Sequence, residues 1–250
     1  MTDVDRRGAA ALPLPVSEPG VDPERYERVY VWQWPIRIFH WITVAAVIAL
    51  FTTGLLIAFP IVTSTGEPYG VFVHARVRQV HFIAAFVFTV AYLWRVVWFF
   101  LGNRFARSGF PFIWRPSWWR NLVRQALDYL RFDFGTPHLG HNSLAGLSYT
   151  VFVIGLGLVQ IVTGFALFSE TNPGGFLDGV FGGVIPFLGG SARTHMWHHL
   201  AAWSFPVFAI LHVYIVMLDA RQYRNGLLIS MITGFKFRRA ARRGRASRSD

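Results

Sequence analysis

Apolar residues along this chain gather in four long runs separated by polar or basic sequence: Ile36 to Val62, Arg78 to Leu101, Leu144 to Phe168 and His195 to Leu218. A helix rises about 1.5 Å per residue, so about 20 apolar residues cross the hydrocarbon core of a bilayer. All four runs reach that length. Within lipid such a run satisfies its backbone polar groups only as a helix. The pattern therefore predicts an all-α membrane protein, a bundle of four transmembrane helices. A fifth run, Phe176 to Leu188, is short and holds Asp178, Pro186 and several glycines; it reads as an interfacial segment between the third and fourth spans. Between the second and third spans, Trp114, Trp118, Trp119, Leu122, Val123, Leu127 and Leu130 recur at near-helical spacing among arginines. That pattern fits an amphipathic helix on the membrane surface, with a packed extramembrane hairpin as the alternative.

The polar remainder sets the domains and the orientation. Residues 1–30 are rich in proline and acid and read as an arm, 31–236 as the membrane domain, and 237–250 as a basic tail. Five arginines precede or open the first span, six lie between spans two and three, and nine basic residues follow span four. The other side has only Arg76, Arg78 and Arg193. The positive-inside bias places both termini of this multi-pass chain in the cytoplasm. The same distribution accounts for the net charge of +11: basic loops meet anionic lipid headgroups. It leaves no folded basic domain to bind nucleic acid.

Composition narrows the chemistry. Only 15% of residues are charged, against 53% hydrophobic and 17% aromatic, where a soluble domain carries about 25% charged residues. There is no cysteine. That excludes disulfides, thiolate zinc sites, iron–sulfur clusters held by this chain and covalently attached c-type haem. Nine histidines remain as the supply of ligands.

Six of those histidines fall inside the runs, where an ionisable group is costly and generally functional; His195 and His199 flank His198 and read as interfacial, which leaves four to place. His40 lies near the cytoplasmic start of span one and His212 toward the cytoplasmic end of span four. His81 and His198 lie near the outer starts of spans two and four. His198 and His212 are 14 residues apart, which is about 40° short of four full turns and about 21 Å of rise, so they share a face. The depths match in pairs, His40 with His212 and His81 with His198, each pair drawn from two helices. That is a layout for two bis-histidine haems stacked across a bundle. For a lone histidine, an interhelical hydrogen bond is the simpler reading; the pairing by depth favours haem. His74, seven residues before His81, is its substitute as ligand. Gly54 and Gly164, each in a Thr-Gly dipeptide, lie at the outer level. There a missing side chain lets a flat macrocycle approach the backbone; plain small-residue helix packing is the alternative. His141-Asn142-Ser143 reads as a helix cap or a propionate contact.

With these residues in view, the chain resembles the b-type cytochrome subunit of membrane-bound nickel–iron hydrogenases, a diheme cytochrome b family. The resemblance rests on Arg37-Ile38-Phe39-His40-Trp41 leading to Thr53-Gly54, on His195-Met196-Trp197-His198-His199-Leu200 followed by Trp203, Phe208 and His212, on Ser230-Met231-Ile232-Thr233-Gly234, and on Gly140-His141-Asn142. It implies a four-helix anchor with two haem b and ligands at His40, His81, His198 and His212. It also implies a route: hydrogenase large and small subunits on the outer face, electrons leaving through the small subunit's iron–sulfur clusters, and reduction of quinone at this subunit. A higher oligomer of the complex is a further expectation. Tyr214, Asp219 and Arg37 are the polar candidates near an inner quinone pocket. The alternatives are the cytochrome b subunit of a formate dehydrogenase or thiosulfate reductase, a haem-free membrane anchor or transporter, and a stand-alone transmembrane ferric or ascorbate-type reductase.

Overall fold

The computed structural model describes residues 26–60, 72–110, 113–131, 139–223 and 226–239. Four helices are long and apolar enough to cross a membrane, as the hydropathy pattern predicts. The first is α1 (Trp34–Ala58), entered through an extended Gln33 with Pro35 in its first turn; proline there loses no helical hydrogen bond. The second is α2 (Val73–Leu101). A short α3 (Pro116–Leu130) follows. The third span runs from α4 (Ser143–Ser148) through a π-helical segment (Tyr149–Leu156) into α5 (Gly157–Ser169). Its start is capped as anticipated, because Asn142 Oδ1 accepts from Ala145 N at 2.7 Å. The Tyr92 hydroxyl of α2 donates to Ile154 O within the π segment at 2.9 Å, serving a carbonyl whose helical bonding is irregular there. The short apolar run folds as α6 (Phe176–Phe181) and α7 (Val184–Phe187). The fourth span is α8 (Ser191–Tyr223), with Pro206 inside it.

Neighbouring spans pack as two pairs, α1 on α2 and α5 on α8. Aromatic rings join the pairs: Phe82 meets Phe168 with centroids 4.6 Å apart, Phe86 meets Phe165 at 5.2 Å, and Phe51 meets Trp203 at 5.1 Å. Large apolar side chains such as Ile48, Val90 and Ile210 point outward, as lipid-facing positions do.

The ends of the membrane domain hold a feature absent from the hydropathy pattern. After α9 (Leu227–Thr233), strand β2 (Phe235–Arg239) pairs antiparallel with β1 (Tyr26–Tyr30), in the register Tyr26 opposite Arg239 and Tyr30 opposite Phe235. β1 lies wholly on the arm side of the expected boundary at 30/31 and β2 crosses the one at 236/237, so the end of the arm and the start of the tail run together at one end of the bundle. Residues 1–25 and 240–250 lie outside the described residues, as do Val62 and His138. Beneath the strands, Val31, Trp32, Ile36 and Ala106 form a buried core. Asn103 ties it together, donating to Val31 O at 3.1 Å and, through its backbone N–H, to Gln33 Oε1 at 2.9 Å.

Helix α3 combines the two readings of its loop. Trp118 is buried, whereas Trp119, Val123, Leu127 and Leu130 are exposed. Its other contacts hold the start of the third span: Gln125 Oε1 accepts from Leu144 N at 3.2 Å, and Asn142 Nδ2 donates to the Tyr129 hydroxyl at 3.1 Å.

Candidate haem site

A cavity of about 380 Å³ opens between the two helix pairs at the end opposite the strands. His81 of α2 and His198 of α8 both line it, together with Gly54 and Gly164. The two imidazoles lie within electrostatic reach of each other. Each is held by a threonine on the helix packed against its own. Thr53 Oγ1 lies 2.8 Å from His81 Nδ1, and Thr163 Oγ1 lies 2.8 Å from His198 Nδ1. The threonine hydroxyl protons are spent elsewhere, donated to Ala49 O and Val159 O at 2.6 Å each. Each hydroxyl oxygen therefore accepts from the ring Nδ1–H, and each Nε2 is left as a lone pair. One turn before Thr163, Gln160 Nε2 donates to His198 O at 2.7 Å, fixing the α8 backbone at the same level.

The two glycines serve the imidazoles directly. A Cβ at Gly54 would meet His81 Cε1 at 3.5 Å, and one at Gly164 would meet His198 Cε1 at 3.2 Å. The group that crosses each glycine is thus the histidine ring of the facing helix. His74, in the first turn of α2, is exposed and does not line the cavity. His195 and His199 reach its rim; His195 Nδ1 lies 3.0 Å from Ser191 O.

At the strand-bearing end stand the half-buried His40 and the exposed His212. His40 of α1 and His212 of α8 lie within electrostatic reach. His40 sits edge-on to Trp41, with centroids 5.0 Å apart, and His212 stacks on Phe208 at 5.6 Å. Phe208 in turn stacks on Phe152 of the π segment at 4.7 Å. His40 Nδ1, Thr43 Oγ1 and the Tyr149 hydroxyl are buried there without a hydrogen-bond partner among the described residues.

A polar cluster that the sequence reading did not find surrounds this level. Arg95, in the second span, is 4% exposed and donates to Ala106 O at 2.8 Å; its guanidinium lies 5.1 Å from the Tyr149 ring. Lys236 of β2 is buried, with its ammonium 5.4 Å from the Trp32 ring. Burial pushes the Lys236 ammonium down to about 8, and Asp219 opposes that shift. His141 Nδ1 lies 3.0 Å from the Ser108 hydroxyl, which donates to Phe105 O at 2.7 Å. Burial, then the charges of Arg95, Lys236 and His212, push His141 down to about 3. Of the quinone candidates, Arg37 donates to Ile232 O of α9, Tyr214 is exposed, and Asp219 is half-buried.

The donor set suits haem iron. With Nδ1–H given to a threonine, each imidazole of the cavity pair would have Nε2 to offer an iron, as bis-histidine ligation requires, and the walls are mostly apolar and aromatic. The metal-ion alternative is poorer: among the described residues no group of three or more His, Cys, Asp or Glu side chains is placed to hold an ion.

A bundle of four apolar helices long enough to cross a membrane, with histidines of α2 and α8 lining one cavity, is the frame of a membrane cytochrome of the b type. The chain belongs to the prokaryotic cytochrome b561 family, whose model matches residues 31–234. Membership implies haem b and electron transfer. The chain is 36% identical over 212 residues to the probable Ni/Fe-hydrogenase B-type cytochrome subunit of Azotobacter chroococcum, spanning 83% of this chain and 88% of the relative. It is 34% identical over 214 residues to the probable Ni/Fe-hydrogenase 1 B-type cytochrome subunit of Escherichia coli K12, spanning 83% and 90%.

Proposed function

We propose that this chain is a diheme b-type cytochrome that anchors a nickel–iron hydrogenase in the inner membrane and passes electrons from its iron–sulfur clusters to the quinone pool. The observation that carries the reading is the pair of imidazoles, His81 and His198, lining one largely apolar cavity, each with its Nδ1 2.8 Å from a threonine hydroxyl. The names of the relatives supply the hydrogenase as partner. His81 and His198 would hold one haem b, and His40 and His212 the second. Haem held by two histidines would supply reversible one-electron transfer, and the residues holding it would leave no place for oxygen or substrate at the iron. The protein's part is to set the ligand rings, keep water out with its aromatic walls and fix the two levels in one bundle. The basic loops orient the strand-bearing end to the cytoplasm. The hydrogenase large and small subunits then dock at the end carrying His81 and His198. Quinone is served at the opposite level, where Asp219 and the buried cations lie.

A reduced-minus-oxidised spectrum of the purified membrane complex, with haem per chain from pyridine extraction, tests this. About two b haems per chain with hydrogenase subunits co-purifying is the expected result. A co-purifying molybdenum enzyme would transfer the reading to a formate dehydrogenase type of complex. A folded chain without haem would leave only the anchor.

A further inference from the structure

The same three-part device stands at one level of the bundle twice. On α1, Thr53 and Gly54 face His81; on α5, Thr163 and Gly164 face His198. In both copies the threonine hydroxyl donates to the carbonyl four residues earlier, at 2.6 Å, and accepts from Nδ1–H at 2.8 Å. The next residue is the glycine over which the same ring lies. A threonine that only back-bonded to its own helix would leave its second lone pair to chance. Here that lone pair meets an imidazole in both copies. His40 Nδ1 has no such partner among the described residues.

We infer that Thr53 and Thr163 are positioning residues for the ligand histidines of the haem between His81 and His198, fixing each ring's tautomer and raising its donor strength. The inference rests on the proposed haem ligation. Donation of Nδ1–H to an oxygen increases electron density at Nε2 and orients the ring. The effect is strengthened because the accepting hydroxyl is itself a donor in a chain of hydrogen bonds. A more basic ligand stabilises the oxidised iron and lowers its potential. One haem of the two would therefore carry a doubly supported ligand set, at the end where α2 and α8 begin. Threonine is better suited than serine to hold this geometry. Its branched Cβ restricts χ1 in a helix, and one of its two allowed rotamers makes the bond to the preceding turn.

The test is Thr53→Val and Thr163→Val in the full chain, purified with its complex, beside Thr53→Ser and Thr163→Ser. The readouts are haem per chain, the midpoint potential of each haem by optical titration, and the low-spin ferric EPR spectrum. The expected result is two haems retained, with the potential of one shifted upward and its EPR signal moved. The other haem stays unchanged, and the serine variants return toward wild type. Loss of one haem in the valine variants with retention in the serine variants also supports the inference. Valine variants with two haems and unaltered potentials and EPR would overturn it. So would equal haem loss with valine and serine, which marks the threonines as packing groups only. A wild-type complex without two b haems would instead overturn the ligation proposal, and is read before any variant is made.

Discussion

The two histidine levels of this bundle are supported by different physics. At the end away from the strands, support is local and repeated. Two helix pairs each bring a threonine oxygen to an imidazole Nδ1 at 2.8 Å, and a glycine beneath the ring. At the strand-bearing end, His40 and His212 have aromatic neighbours, and the order around them comes from long-range contacts. Lys236 lies buried by Trp32, and β1 pairs with β2 across nearly the whole chain. Membrane helices gain little from burying apolar surface against one another, so specific polar and small-residue contacts fix their relative positions. One level gets these from within its helix pairs, the other from the chain's extremities. Damage to the extremities should therefore reach the His40–His212 level first.

The strongest way to break the comparison is to remove a histidine from each level. On the proposed ligation, His198→Ala should cost one of two b haems, and His212→Ala the other, because each would supply one of the two histidines holding a haem. The remaining haem should keep its potential in each variant, read by redox titration after pyridine extraction has given the count. Loss of both haems from either substitution would mean that the levels are not independent.

A smaller effect is expected from the turn that leads α9 into β2. Gly234 has φ +88°, and an added Cβ would lie 2.6 Å from Tyr30 Cε2 and 2.7 Å from the Trp32 carbonyl oxygen. That oxygen is backbone and cannot swing away. The Gly234 carbonyl also accepts from Val31 N and Trp32 N at 2.9 and 3.0 Å. Gly234→Ala should destabilise the strand-bearing end by at least about 1–3 kcal/mol, the usual cost of a side chain held at positive φ. Thermal unfolding in detergent should show it, with the haem assigned to His40 and His212 lost at lower temperature than the other.

Much of this architecture was legible because its signals are strong one residue at a time. Hydropathy marks a span of some 20 residues without reference to any partner, and the depth of His40, His81, His198 and His212 follows from counting along helices. The Thr-Gly dipeptides were visible too, although their glycines drew the attention. The role of the threonines was hidden, since threonine in a membrane helix ordinarily bonds its own backbone; the repetition of the dipeptide was the only clue. The strand pair was hidden for another reason. Glu27 and Arg238 are 211 residues apart, and the alternation of Phe235 and Phe237 with Lys236 and Arg238 is too short to name a partner strand at the other end of the chain. Lys236 counted only as a basic charge after the fourth span, and Arg95 inside the second span carried no reading, whereas burial beside Trp32 and Tyr149 gives both structural work.

Proton uptake sharpens the comparison further, because His141 belongs to the strand-bearing end alone. Its folded value of about 3 lies below the ordinary 6.5, from burial first and then the Arg95, Lys236 and His212 charges. The unfolded chain thus binds a proton before the folded one does. The neutral ring's contribution is complete above pH 6.5 and is lost progressively as pH falls toward 3. Unfolding temperature should drop between pH 7 and 5.5 in the wild type. In His141→Gln it should start lower and fall less steeply. Parallel slopes would assign the acid sensitivity to another group.

The weakest expected effect is at the outer face of the same clamp. Glu27 and Arg238 form a 2.6 Å ion pair across β1 and β2, but both side chains are about half exposed, at 52% and 53%. Water and salt screen such a pair, and its typical worth is about 0.2–1 kcal/mol. Arg28, whose guanidinium lies 3.7 Å from the Phe235 ring centroid, and the backbone ladder would remain to hold the strands. Glu27→Ala should accordingly shift unfolding by no more than that range, and less in high salt, with both haems retained. If it released the haem assigned to His40 and His212 as readily as Gly234→Ala, the strand pairing would depend on its surface charges, and the buried turn at Gly234 would not be what secures that end.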